Sequence, residues 1–188
     1  MMQEETSSYR SIRDKKRMIR EDMRKENALH STEEREVISQ RICSKIESIP
    51  LYRCSQHTLF FYPMKYEPDI LSLLEKCSKE HSCYLPRVKG EEIEIVLYRG
   101  KEYLQKGAFG IYEPMGEPIE NLSILDCVLV PAVSFDKEGN RLGHGKGYYD
   151  RLLGRLSPSI FIGVCFSWNL SLSIPKEQHD RKVKEVVY

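Results

Sequence analysis

Apolar residues recur along this chain in short blocks whose spacing switches between helical and extended. Over 9–29 the chain is charged, but Ile12, Ile19 and Met23 fall near helical spacing and predict a first helix. Arg13, Lys16, Arg20 and Arg24 form a second stripe on it. Ser31 and Glu34 make a capping box, after which Val37 or Ile38, Ile42, Ile46 and Ile49 share one face. That predicts a second helix ending before Pro50. The apolar run 58–62, stopped by Pro63, predicts a buried strand. Pro68-Asp69 should open a helix through about residue 79, with Ile70, Leu73, Leu74 and Cys77 inward. Residues 83–85 and 93–98 read as strands, and 125–130 is almost continuously apolar, as a strand covered on both faces should be. A helix over about 148–156, a strand over 160–166 and a short strand near 183–187 complete the pattern.

Strands alternating with helices predict an α/β layered domain with a mostly parallel sheet, whose ligands gather beyond the carboxyl ends of the strands. Residues 1–8 are polar and are expected to be disordered, and 9–188 to form one domain. Composition narrows the partners. A net charge of +1 gives no field for nucleic acid or a membrane surface. No apolar run approaches the roughly 18 residues of a membrane span. The amino terminus lacks the apolar core of a secretory leader. Six cysteines occur without a C-x-x-C pair, so no zinc site is expected. A reduced, cytoplasmic protein acting as a monomer on small molecules is the expectation.

The segment 140–151, Asn-Arg-Leu-Gly-His-Gly-Lys-Gly-Tyr-Tyr-Asp-Arg, carries the chemistry. Glycine at every second position lets the backbone take positive φ and approach a ligand closely. Such turns aim N–H groups into one concavity, and the following helix adds its positive end, which suits phosphate oxygens. Lys146 and Arg141 add positive charge, and Asp150 is a hard oxygen donor of the kind Mg²⁺ prefers. The spacing fits neither the P-loop nor the dinucleotide fingerprint. A plain turn is the alternative, and it would need none of the flanking charged and aromatic residues.

Pro131-Ala132-Val133-Ser134-Phe135-Asp136, Gly139-Asn140-Arg141-Leu142-Gly143 and Gly145-Lys146-Gly147-Tyr148-Tyr149-Asp150-Arg151 together resemble the signature of the 5-formyltetrahydrofolate cyclo-ligase family. Lys16-x-x-x-Arg20, Phe61-Tyr62-Pro63-Met64 before Glu67, Leu85-Pro86-Arg87, Phe109-Gly110-Ile111 with Glu113-Pro114, and His179-Asp180 follow in the same order. The resemblance implies a three-layer α/β/α fold. It also implies ATP-dependent cyclisation of 5-formyltetrahydrofolate to 5,10-methenyltetrahydrofolate, with release of ADP and phosphate through an iminium phosphate.

By the same resemblance, Lys16, Arg20 and the loop Arg141, Leu142, Gly143, His144, Gly145, Lys146, Gly147, Tyr148 and Tyr149 would hold ATP. Arg141 and Lys146 would serve the chemistry, and Asp150 and Asp180 would hold Mg²⁺. Tyr62, Met64, Glu67, Phe109, His144, Gly145, Lys146, Gly147 and Tyr148 would hold the folate, polyglutamylated or not. His144 stands where relatives often carry arginine. Each residue also has a plainer reading. Lys16 and Arg20 can be a solvated helix face, Asp150 can pair with an arginine, Asp180 can be an exposed loop carboxylate, and Tyr62 and Phe109 can be core. A non-catalytic folate- or nucleotide-binding protein is the competing reading, and a nucleic-acid module is disfavoured by Asp14, Glu21 and Asp22 interrupting the basic stripe.

Overall fold

A computed structural model describes residues 11–156, 160–178 and 180–188. The expected disorder of 1–8, the start of the first helix at residue 9, and His179 lie outside the described residues. Helix α1 (Ile12–Leu29) opens on Ser11, whose hydroxyl accepts the Asp14 N–H. Helix α2 (Thr32–Ser48) opens on the expected capping serine, Ser31 Oγ accepting from Glu34 N at 3.1 Å. Helix α2 ends before Pro50 as expected, at an extended Ile49, and Pro50 opens a new helical turn. It sits at the first turn of a short α3 (Pro50–Cys54), where its missing N–H costs nothing. Then follow β1 (His57–Leu59), α4 (Leu71–Cys77), β2 (Ser82–Lys89), β3 (Glu92–Leu97), β4 (Leu104–Lys106), β5 (Tyr112–Pro114), β6 (Cys127–Pro131), β7 (Ser134–Phe135), β8 (Arg141–Leu142), α5 (Tyr148–Arg155), β9 (Ile160–Val164) and β10 (Glu185–Val187).

The main sheet has six strands in the order β10-β9-β6-β1-β2-β3. All its pairings are parallel except β2 with β3, whose short connection allows only an antiparallel hairpin. Every residue of the central β6 is buried. Its side chains alternate: Cys127 and Leu129 face a cluster with Ile42, Ile46, Leu74 and Phe61, while Val128 and Val130 face one with Leu152, Leu153 and Ile95. Helices α2, α3 and α4 therefore cover one face and α5 the other, which is the expected three-layer arrangement.

The packed face of α1 is part polar: Lys16 and Asn27 are buried and Ile19 and Met23 half-buried, while Ile12 is exposed. The helix packs on the turn 167–169, where Asn27 Oδ1 accepts from Trp168 Nε1 at 2.9 Å and Met23 Sδ accepts from Asn169 Nδ2 at 3.7 Å. The glycine loop does not leave β6 directly. The β7–β8 hairpin intervenes, its turn held by Asp136.

Candidate active site

Beyond the carboxyl ends of β6 and β1 lies a cleft of about 660 Å³. Its lining includes every residue that the sequence singles out for ATP, folate or metal. Segments far apart in the chain build it: α1, the stretch after β1, the β4–β5 connection, the glycine loop, and the turn before Asp180.

Asp136 sets the loop's entry. Its Oδ1 accepts the N–H groups of Glu138 (3.0 Å) and Asn140 (2.9 Å), and its Oδ2 accepts from Asn140 Nδ2 (2.7 Å) and Ile174 N (3.0 Å). Burial raises its pKa, but these donors outweigh it and hold the carboxyl below its ordinary value. Two of the three loop glycines use positive φ, Gly145 at 96° and Gly147 at 70°, the latter capping α5. At Gly143 a Cβ would stand 2.8 Å from Arg141 Nη1 and would displace that guanidinium.

Arg141 is buried and pairs with Asp150, Nη2 to Oδ2, at 2.7 Å. Its guanidinium lies 5.7 Å from the centre of the Tyr149 ring. The plainer reading of Asp150 is thus what this structure contains. Yet Arg141 Nε, Tyr149 Oη and Asp150 Oδ1 are buried without a hydrogen-bond partner among the described residues. Burial drives the Tyr149 phenol well above its ordinary pKa, so it remains a hydroxyl.

Lys16 is no solvated face. Its side chain is 9% exposed, and the ammonium lies 2.6 Å from Asp180 Oδ2 and 2.7 Å from Glu177 Oε2. Arg20 Nε donates to the Gly143 carbonyl at 2.8 Å and so fastens α1 to the loop. Burial lowers the pKa of Arg20 somewhat, with Asp180 and Glu177 opposing. Lys146 is exposed on the loop and lines the cleft.

On the other side, Glu67 is buried, its Oε2 accepting the Met64 N–H at 2.9 Å. Its Oε1 lies 3.3 Å from His144 Nε2, so one side chain joins the glycine loop to the segment after β1. Tyr62 is half-buried against Tyr112, and Phe109 is exposed with its ring edge toward Tyr148. Phe109 has φ 58°, a left-handed backbone rare for a residue with a side chain. It is therefore a wall of the cleft and not core. Glu177 escaped sequence reasoning, because one acid among many carries no signal until the fold sets it beside Lys16. Glu113, also buried on the cleft, accepts the N–H groups of Val88 (3.1 Å) and Ala108 (3.3 Å) and shapes the β4–β5 wall.

Comparison with known proteins follows the same lines. A mouse 5-formyltetrahydrofolate cyclo-ligase is 28% identical, covering 95% of each chain. The enzyme of the same name from Haemophilus influenzae is 27% identical over 93% of this chain and 94% of its own. The solved structure of Aquifex aeolicus 5,10-methenyltetrahydrofolate synthetase superposes with a TM-score of 0.82 at 36% identity, covering 92% of this chain and 88% of that one. A Mycoplasma pneumoniae synthetase at 24% identity has the same fold, with a TM-score of 0.74. The model of the 5-formyltetrahydrofolate cyclo-ligase family matches residues 12–188, and the chain belongs to that family of ligases.

Proposed function

We propose that this enzyme cyclises 5-formyltetrahydrofolate to 5,10-methenyltetrahydrofolate at the expense of ATP, releasing ADP and phosphate. Family membership indicates the synthetase activity. One observation carries the ATP-dependent reading: a single cleft gathers a phosphate-type loop, two basic residues of α1 and the buried Glu67, with His144 bridging loop and Glu67.

A formyl amide oxygen is a poor leaving group. Transfer of the γ-phosphoryl group to that oxygen gives an iminium phosphate and ADP. N10 then attacks the activated carbon, closing the ring, and the C–O bond breaks as phosphate leaves with the proton lost from N10. Such transfer needs positioning and charge neutralisation more than a protein nucleophile. The loop N–H groups, Lys16, Arg20, Arg141 and Lys146 would supply these to the nucleotide, with Lys146 and Arg141 acting on the group in flight. Glu67 would accept from the amino-pyrimidinone edge, with Tyr62, Met64, Phe109 and Tyr148 as apolar walls.

Mg²⁺ fits the donors. Asp150 Oδ1 is a buried, unpartnered carboxylate oxygen in the cleft, and Asp180 is a second hard donor there. Mg²⁺ commonly takes one or two protein carboxylates and keeps several waters. Bound by Asp150 and Asp180, it would neutralise phosphate charge.

Absorbance of methenyltetrahydrofolate tests the reading. Product should accumulate from 5-formyltetrahydrofolate with Mg²⁺ and ATP and not when ATP is omitted. Formation independent of ATP would overturn the mechanism. Tight binding of both ligands without turnover would favour a non-catalytic binding protein.

A further inference from the structure

Four side-chain polar atoms are buried without a hydrogen-bond partner among the described residues, and three belong to Arg141, Tyr149 and Asp150 in the cleft. Arg141 and Asp150 already hold each other through their other atoms. Tyr149 differs, because its only polar atom is the orphan. A buried hydroxyl with no partner costs free energy that a phenylalanine of the same shape would avoid. The ring itself is well placed: Tyr149 packs against both hydrophobic clusters from the first turn of α5, so its hydroxyl has little freedom to seek a partner elsewhere.

The phenol lies among the charged groups of the cleft. The Arg141 guanidinium stands 5.7 Å from the centre of its ring, and Glu67 and Lys146 line the same cavity. Tyr149 is thus a neighbour of a cation assigned above to the group in flight. We propose that the Tyr149 hydroxyl donates a hydrogen bond to the migrating phosphoryl group, as a transition-state donor distinct from the cationic groups around it. The proposal rests on the ATP-dependent reaction argued above. The phenol keeps its proton throughout. It donates to a phosphoryl oxygen while the bond to the ADP oxygen breaks and that to the formyl oxygen forms. It can follow the same oxygens when phosphate later leaves the ring carbon.

Tyr149→Phe tests this, with the melting temperature measured beside steady-state kinetics for both substrates. The expected result is a kcat at least about tenfold lower, with KM for ATP and for 5-formyltetrahydrofolate within about threefold of wild type. Melting should be unchanged or higher, because an unsatisfied hydroxyl has been removed. Tyr98→Phe is the control: that phenol donates to Glu75, outside the cleft, and its loss should leave kcat intact. An active wild type with Tyr149→Phe within about twofold in kcat would overturn the inference alone. So would a lower melting temperature with both KM values raised, which marks a structural role or a bound water. A wild type without ATP-dependent turnover would overturn the functional reading and this inference together.

Discussion

Lys16 Nζ stands 2.6 Å from Asp180 Oδ2, a contact between residues 164 positions apart in the chain. Glu177 takes the same ammonium, and its own N–H donates to Asp180 Oδ2 at 2.8 Å. The turn is thus folded around the lysine, so the charge that would meet phosphate is held in place beforehand.

Lys16→Met should weaken ATP binding by about tenfold or more and cost on the order of 1–3 kcal/mol of stability, because two carboxylates lose their shared partner. Burial pulls the Lys16 pKa down, but the bonds to Asp180 and Glu177 outweigh it and raise the value above the ordinary 10.5. A raised folded pKa means the stabilisation is complete below 10.5 and fades only as pH climbs through the folded value. The difference in melting temperature between wild type and Lys16→Met should therefore be the same at about pH 7 and pH 9. A difference that shrinks across that interval would contradict the assignment.

Asp136 predicts the opposite limb. Its folded pKa lies below the ordinary 3.8, so its stabilisation is present above that value and lost as pH falls through the folded one. Asp136→Ala should cost about 3 kcal/mol by leaving buried donors unpaired, and should flatten the acid side of the stability curve. Denaturant titrations between about pH 3 and pH 7 measure both effects.

Binding and chemistry separate at Lys146 and Glu67. Lys146→Ala should lower kcat more than about tenfold, roughly 1.4 kcal/mol of transition-state stabilisation. Glu67→Gln should raise KM for the folate and leave ATP affinity near wild type. If both variants altered only KM for ATP, this division of the cleft would be wrong.

Gly145→Ala should abolish ATP binding while the protein stays folded. The reason is φ at 96° and not a clash, since a Cβ would meet the Arg20 guanidinium at an ordinary 3.6 Å. Gly154, helical within α5, would bring a Cβ to 3.6 Å from Arg181. Gly154→Ala should therefore keep ATP affinity and gain up to about 1 kcal/mol in stability. Calorimetric titration with a non-hydrolysable ATP analogue, beside melting curves, checks the pair.

Activity should require Mg²⁺, tolerate Mn²⁺ and fail with Zn²⁺, because the donors are carboxylate oxygens. Asp150→Asn should raise the Mg²⁺ concentration needed for half-maximal rate. Full turnover in excess chelator would remove the metal from the scheme.

The sequence announces the cleft more clearly than it announces the packing. Glycines, basic residues and paired aromatics in one loop have a chemical reason to be together, and Arg141 through Asp150 all line the cleft. Strand 125–130 was legible because burial on both faces leaves no polar positions. Helix α1 was readable as a helix, and Ile19 and Met23 do lie on its packed side, but nothing local marked Lys16 and Asn27 as its buried positions. Their partners, Asp180 and Trp168, are remote in sequence, and no local pattern reports them. The antiparallel course of β3 and the short α3 were hidden for related reasons, one decided by a turn and the other by a proline at a helix start.

Because α1 is fastened by Asn27, Arg20 and Lys16 more than by buried leucines, it should be the element that opens most easily. Its amide protons would then exchange with solvent well before those of β6, whose every residue is enclosed. A nucleotide engaging Lys16 and Arg20 would slow that exchange along the whole helix. The first helix would act as the protein's own gauge of occupancy, readable without any measure of turnover.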